Sequence, residues 1–176
     1  ADLAAIQSTL DTAVYKYGVG LITAGNFMTN DETGAALAGD AYARMKSLLG
    51  VGLQGSGSGE VVVKAGDVTH PVMNGYTAGE QIRDYASIGT QYFTDLTGGA
   101  KVLATQSING GSAQNAVLAT TTGGKNVHFA TEGMLADNNM LEDAIDWAVH
   151  DASKPVLELQ MSRQSAIFAS RNDLDE

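Results

Sequence analysis

Few side chains in this sequence can do covalent chemistry, and the place shaped for a nucleophile holds none. Residues 20–31, GLITAGNFMTND, form an apolar run that stops at a glycine turn. Several α/β hydrolytic enzymes hold their attacking side chain on such a turn. Asn26 stands there instead, and an amide is not a nucleophile. The chain has no Cys, which removes thiolate attack, disulfides and thiolate metal sites together. Its three His are His70, His128 and His150. His70 precedes Pro71, which holds it extended as a candidate base or ligand. His128 alternates with Val127 and Phe129, the pattern of a strand histidine facing a core or an interface. His150 ends a helix, where the dipole favours its cation. Glu132, beside Gly133, follows a strand at the edge where open α/β sheets bind ligands, and Asn26 and Phe27 are expected at the same edge. An Asn, a Glu and a Phe can together meet hydroxyls and the apolar face of a sugar. Near the end, Asp173 and Asp175 repel one another until a proton or a hard cation intervenes, so they are the candidate metal ligands. Each residue also has a plainer role: Asn26 tolerating left-handed backbone in its turn, Glu132 accepting from backbone N–H groups, the acidic tail simply solvated.

The elements that would position these groups follow from hydrophobic periodicity. Residues 2–16 predict a helix through Leu3, Ile6, Leu10 and Val14, and 18–24 a buried strand. Leu37, Ala41, Met45, Leu48 and Leu49 predict a second helix, capped by Asp31 or Thr33 and closed by Gly50. The Gly-Ser run 55–59 reads as a flexible connection, 60–65 as a strand, and 78–96 as mixed. Strands are expected at 101–106, 115–121 and 126–131, the last two joined by a Gly123-Gly124 hairpin turn. Asp137 or Asn138 would cap a final helix buried through Leu141, Ala144, Ile145 and Ala148, and strands at 155–161 and 166–169 would finish the chain. Helices interleaved with buried strands predict an α/β fold with a mainly parallel sheet, an antiparallel edge hairpin, helices on both faces, and Leu21, Ile22, Val62, Val102, Leu103, Val117 and Phe129 buried.

Composition sets the outer bounds. With 176 residues, 44% of them hydrophobic, the chain can bury one sizeable core. No apolar run approaches the ~20 residues that span a bilayer. Ten basic residues against twenty acidic ones give a net charge of −10, which repels phosphate backbones and argues against nucleic acid as a partner. Abundant Gly, Ala, Thr, Asp and Asn with little Lys point to an extracellular or periplasmic location. Helical periodicity that starts at once, without an initial Met, reads as a fragment: a domain over 1–161, with 162–176 opening a following one.

The order of GVGLITAGN, YARMKSLLGV, HPVMNGY, KVLATQ, NAVLATTTGGKNVHFATEG and NNMLEDAIDWAVH resembles the class I glutamine amidotransferase-like superfamily, and within it the ThuA-like, trehalose-utilisation branch. The resemblance spans about residues 1–150 and implies a flavodoxin-like three-layer sandwich. In catalytic members the turn at Ala24-Gly25-Asn26 carries Cys, so the resemblance implies a non-catalytic module, binding glycan or supporting flanking domains; no cofactor is expected, and the net charge of −10 favours a neutral or cationic glycan. The alternative is a sugar-directed hydrolase or isomerase using Glu132 and His70. The tail AIFASRNDLDE is loosely similar to the opening strand and acidic motif of NodB-like polysaccharide deacetylases.

Overall fold

In the computed structural model of the chain, residues 2–136 and 139–149 are described. Helix α1 (Leu3–Asp11) starts where the Asp2 carboxylate accepts the Ala5 N–H at 3.0 Å, a side-chain cap on an otherwise orphaned donor. It runs into a π-helical turn, Thr12–Lys16, whose Val14 is buried. The chain then crosses to strand β1 (Ile22–Ala24).

The predicted parallel sandwich does not form. Among the described residues the strands are β1, β2 (Val51–Ala65), β3 (Gln81–Leu96), β4 (Lys101–Ile108), β5 (Gln114–Thr120) and β6 (Asn126–Phe129). They lie in the order β1-β6-β5-β3-β2-β4, and β4 also pairs with β5. Strands β2, β3, β5 and β4 therefore close on themselves as a four-stranded barrel, every pairing in it antiparallel. Among the described residues only β1 and β6 run parallel, with Thr23 opposite His128 and Ala24 opposite Phe129.

The glycine-serine run explains much of this difference. It does not connect elements but lies inside β2, paired along the 16-residue β3. Its glycines are sites of close approach. A Cβ on Gly55 would fall 2.5 Å from Tyr92 ring atoms, and one on Gly57 would fall 2.9 Å from Ile108 Cδ1. Glycine in a strand marks a crossing by a neighbour's side chain as readily as it marks flexibility. The expected mixed segment is accordingly the long partner strand of an antiparallel ribbon.

The second helix is also shorter than expected. Of the second predicted helix only α2 (Lys46–Leu49) forms, closed by Gly50 at φ 76° as the sequence implies. Upstream, Asp31 Oδ1 accepts from the Thr33 N–H, the Thr33 hydroxyl and the Ala35 N–H, which ties the backbone into a local loop in place of a first helical turn. Helix α3 (Met140–Val149) forms where the last one was predicted and buries Met140 and Ala144, whereas Ile145, expected in its buried stripe, is exposed. Its proposed caps Asp137 and Asn138, together with His150, the strands at 155–161 and 166–169, and Asp173 and Asp175, lie outside the described residues.

The core holds Leu103, Val117 and Phe129 fully buried, with Leu21, Ile22 and Val102 packed against it in part. Val62 is half-buried. No helix among the described residues is long and apolar enough to cross a membrane.

The β5–β6 hairpin turns at Gly123-Gly124 as predicted, yet it is internal, because β6 lies between β5 and β1. Asn126 staples it. Its Oδ1 accepts the Leu21 N–H at 3.1 Å, and its Nδ2 faces Thr120 Oγ1 and the carbonyls of Thr122 and Gly124 at 3.0–3.2 Å. Thr120 Oγ1 in turn donates to the last carbonyls of α2 through Leu48 O at 2.7 Å. Replacing Asn126 by Ala strands a main-chain donor and leaves several acceptors without their partner, so urea unfolding of Asn126→Ala should show a loss of about 2 kcal/mol. A loss under about 0.5 kcal/mol, within the range of ordinary surface substitutions, would show that the staple is dispensable.

Candidate functional site

Parallel β1 and β6 point their carboxyl ends at one edge of the sheet, and the loops that follow them meet there. The Gly25 N–H donates to Phe129 O at 2.9 Å, joining the two exits. Gly25 takes φ 57°, which a side chain would resist. Space supplies a second reason for glycine: a Cβ there would fall 2.6 Å from Glu132 Cδ. The Glu132 carboxylate thus lies directly over the Gly25 backbone while remaining exposed. Asn26 beside it is exposed, and Phe27 is partly buried against the core. The left-handed positions of this loop are Gly25 and Met28, at φ 60°, so Asn26 is not there for left-handed backbone. Thr29 closes the loop by donating its hydroxyl to Asn26 O at 2.8 Å.

Two tyrosines frame this edge, and neither carries a sequence signal. Tyr42 is buried, and its hydroxyl donates to Gly25 O at 2.6 Å. Burial, and secondarily the negative charge of Glu132, push that hydroxyl above its ordinary pKa, so it stays a donor. On the other flank β3 is tied to the exit of β6 by the Gln91 N–H donating to Ala130 O at 3.0 Å. There the Tyr85 ring and Ile88 press on Gly133, whose absent side chain admits them.

Beneath the site His128 fills the core. Its Nδ1 shares a 2.9 Å hydrogen bond with Thr23 Oγ1, its ring meets Tyr42 and Phe93 at 5.5 and 5.2 Å, and its Nε2 has no hydrogen-bond partner among the described residues. Burial pushes its pKa down to about 3. It is a neutral core residue.

His70 is elsewhere. Its Nδ1 accepts the Val72 N–H at 3.3 Å, capping the 3-10 turn Pro71–Met73, and its ring stands edge-on to Trp147 at 4.6 Å. Lys125, which precedes β6, covers the same Trp147 ring at 5.8 Å. Burial lowers the His70 pKa, Asp67 opposes that, and Lys101 at the start of β4 adds to it. These neighbours place His70 toward the amino-terminal end of β6, whereas Glu132 follows its carboxyl end. The structure brings Asn26, Phe27 and Glu132 together and leaves His70 apart. Among the described residues, no group of three or more His, Asp or Glu side chains is arranged to hold a metal ion.

No protein-family profile matches the chain, and no curated protein matches it. Solved structures do. Two cytoplasmic proteins of Salmonella typhimurium, STM3548 and STM1381, share the fold with TM-scores of 0.53 and 0.50 at 16% and 18% identity, covering 80% and 81% of this chain and 57% and 58% of theirs. A protein described as ThuA-like, from Bacteroides uniformis ATCC 8492, gives a TM-score of 0.55 at 14% identity over 81% of this chain and 63% of its own. The fold is therefore shared with a ThuA-like protein, in agreement with the motif order. The chain spans roughly three-fifths of the length of each neighbour. Two neighbours named as cytoplasmic count against the extracellular or periplasmic expectation, which rested on composition alone and is withdrawn.

Proposed function

We propose that the chain is a non-catalytic, amidotransferase-like module of a larger protein, and that the edge between Gly25 and Glu132 binds a neutral or cationic sugar. The observation that carries this reading is the exposed Glu132 carboxylate seated over Gly25, beside exposed Asn26 and the partly buried Phe27 ring. That set offers an acceptor, an amide that both donates and accepts, and an apolar face, which is what a sugar's hydroxyls and ring plane require. The net charge of −10 disfavours an anionic ligand. The turn that carries Cys in catalytic amidotransferases holds Asn26, and the ThuA-like neighbour fits the same branch. The hydrolase alternative is the weaker reading, because its two residues, Glu132 and His70, sit at opposite ends of β6.

The test is a titration of the folded protein with trehalose, with a chitosan disaccharide and with a glucuronate-containing disaccharide, following backbone amide shifts. The first two should move Gly25, Asn26, Phe27 and Glu132, and Phe27→Ala should weaken that binding by roughly tenfold, the loss of one good aromatic contact. Shifts only with the anionic sugar, or none at these residues, would overturn the assignment. Turnover of any probe that Glu132→Ala abolishes would restore the hydrolase reading.

A further inference from the structure

The sequence contains two Asn-Gly pairs, Asn74-Gly75 and Asn109-Gly110, both in tight turns and both exposed. Such pairs can react with themselves. The Gly nitrogen attacks the Asn side-chain carbon, a C–N bond forms, ammonia leaves, and water then opens the resulting succinimide to aspartate or isoaspartate. Only water is consumed. Glycine favours the step because it puts no side chain in the way of the attacking nitrogen, so both pairs are chemically competent.

The fold treats them differently. Asn109 occupies the β4–β5 turn at φ 49°, followed by Gly110 at φ 68°, the backbone that Asn-Gly hairpins adopt. Its side chain is clamped to β2: Oδ1 accepts the Glu60 N–H at 3.0 Å and Nδ2 donates to Ser58 O at 3.2 Å. Gly59, at φ 131°, leaves the room for it, since a Cβ there would fall 2.7 Å from Asn109 Cγ. The reacting carbon is thus held against β2. Asn74 lies in the turn closed by the Tyr76 N–H donating to Met73 O at 3.2 Å. Its side chain is exposed and has no hydrogen bond to a described residue. Exposure does not separate the two pairs; the clamp does.

We infer that Asn74 is a site of spontaneous deamidation and isomerisation in the folded protein, and that the fold protects Asn109. The position has a consequence. Met73 and Tyr76, on either side of this exposed pair, are both buried, and isoaspartate at 74 inserts a methylene into the main chain between them. Modification there should loosen the 66–80 connection.

The experiment is a time course of the native protein in mildly alkaline buffer, beside the same protein in urea, with isoaspartate located by peptide mapping. In the native protein Asn74 should react faster than Asn109 by on the order of tenfold or more, the factor that one or two hydrogen bonds of clamping correspond to. In urea the two rates should converge. Asn74→Gln should remove the native product, and protein carrying isoaspartate at 74 should melt lower than fresh protein. Equal native rates, a faster Asn109, or an unreacted Asn74 over a time in which the denatured chain is converted would each overturn the inference.

Discussion

Lowering the pH from 6.5 toward 3 should cost this protein on the order of 4 kcal/mol through His128 alone. Its folded pKa is about 3 against an ordinary 6.5, and each unit of separation corresponds to about 1.4 kcal/mol. The sign follows from which state holds the proton. The unfolded chain binds a proton near the ordinary value while the folded chain refuses it, so this contribution is complete above pH 6.5 and is lost as the pH falls toward 3. The cause is structural: the ring is buried and walled by Thr23, Tyr42 and Phe93. His70, half-buried and also shifted down by burial, acts in the same direction. Asp31, Asp40 and Asp67 are held below the carboxylate value of 3.8 mainly by hydrogen bonds from Thr33, Lys46 and Thr69. Their contributions are present above that value and are lost only below it, so the window from 6.5 to 4 isolates the histidines. Urea midpoints across that window should fall steeply for the wild type and much less for His128→Gln, which can keep a bond to Thr23 but does not titrate. Equal slopes for the two proteins would show that His128 is not the buried neutral group described here.

Gly124→Ala should be nearly as damaging at neutral pH, by about 3 kcal/mol. The expectation rests on what stands in the way. A Cβ on Gly124 would run into the Val19 carbonyl oxygen, with the Val19 carbonyl carbon at 2.9 Å and Gly18 O at 3.2 Å. These are backbone atoms of the segment entering β1 and cannot rotate aside, so the hairpin and β1 must part or shift, the overpacking case at its costly end. Gly20 meets Lys125 O and Ala148 Cβ from the other side, both at 2.7 Å from its built Cβ, so the two glycines allow one mutual approach. Gly89→Ala is the matched control. Nothing lies within 4 Å of its Cβ, and it has no positive φ; it should be neutral or stabilising by a few tenths of a kcal/mol through the unfolded chain. Similar unfolding free energies for the two variants would mean that the β1 crossing is not held by this contact.

The segments legible in the sequence are those whose pairing is local. Strands β4, β5 and β6, the Gly123-Gly124 turn, the Gly50 stop and helix α3 lie close to the positions that periodicity and turn chemistry give them. Each is set by residues within a few positions: β-branched alternation, left-handed glycine, an apolar stripe. The common edge of Asn26, Phe27 and Glu132 was legible for a similar reason, since both segments leave neighbouring strands at their carboxyl ends. Tertiary structure alone decided the rest. Gly55, Gly57 and Gly59 read as a linker until Tyr92, Ile108 and Asn109 fill the space above them, and only that filling makes β2 one continuous 15-residue strand and closes a barrel in place of a parallel sheet. Asp31 looked like a helix cap and became the centre of a loop, because its neighbours' N–H groups reach it before a helix can start. Tyr42 and Tyr85 joined the candidate site, and His70 left it for Trp147, across separations of 17 to 77 residues. The sequence alone determined where the chain turns and which short segments are extended or helical. Which strands pair, in which direction, and which distant side chains meet were set by packing, because a glycine or a lone polar residue carries no local record of the atoms that will come to lie against it.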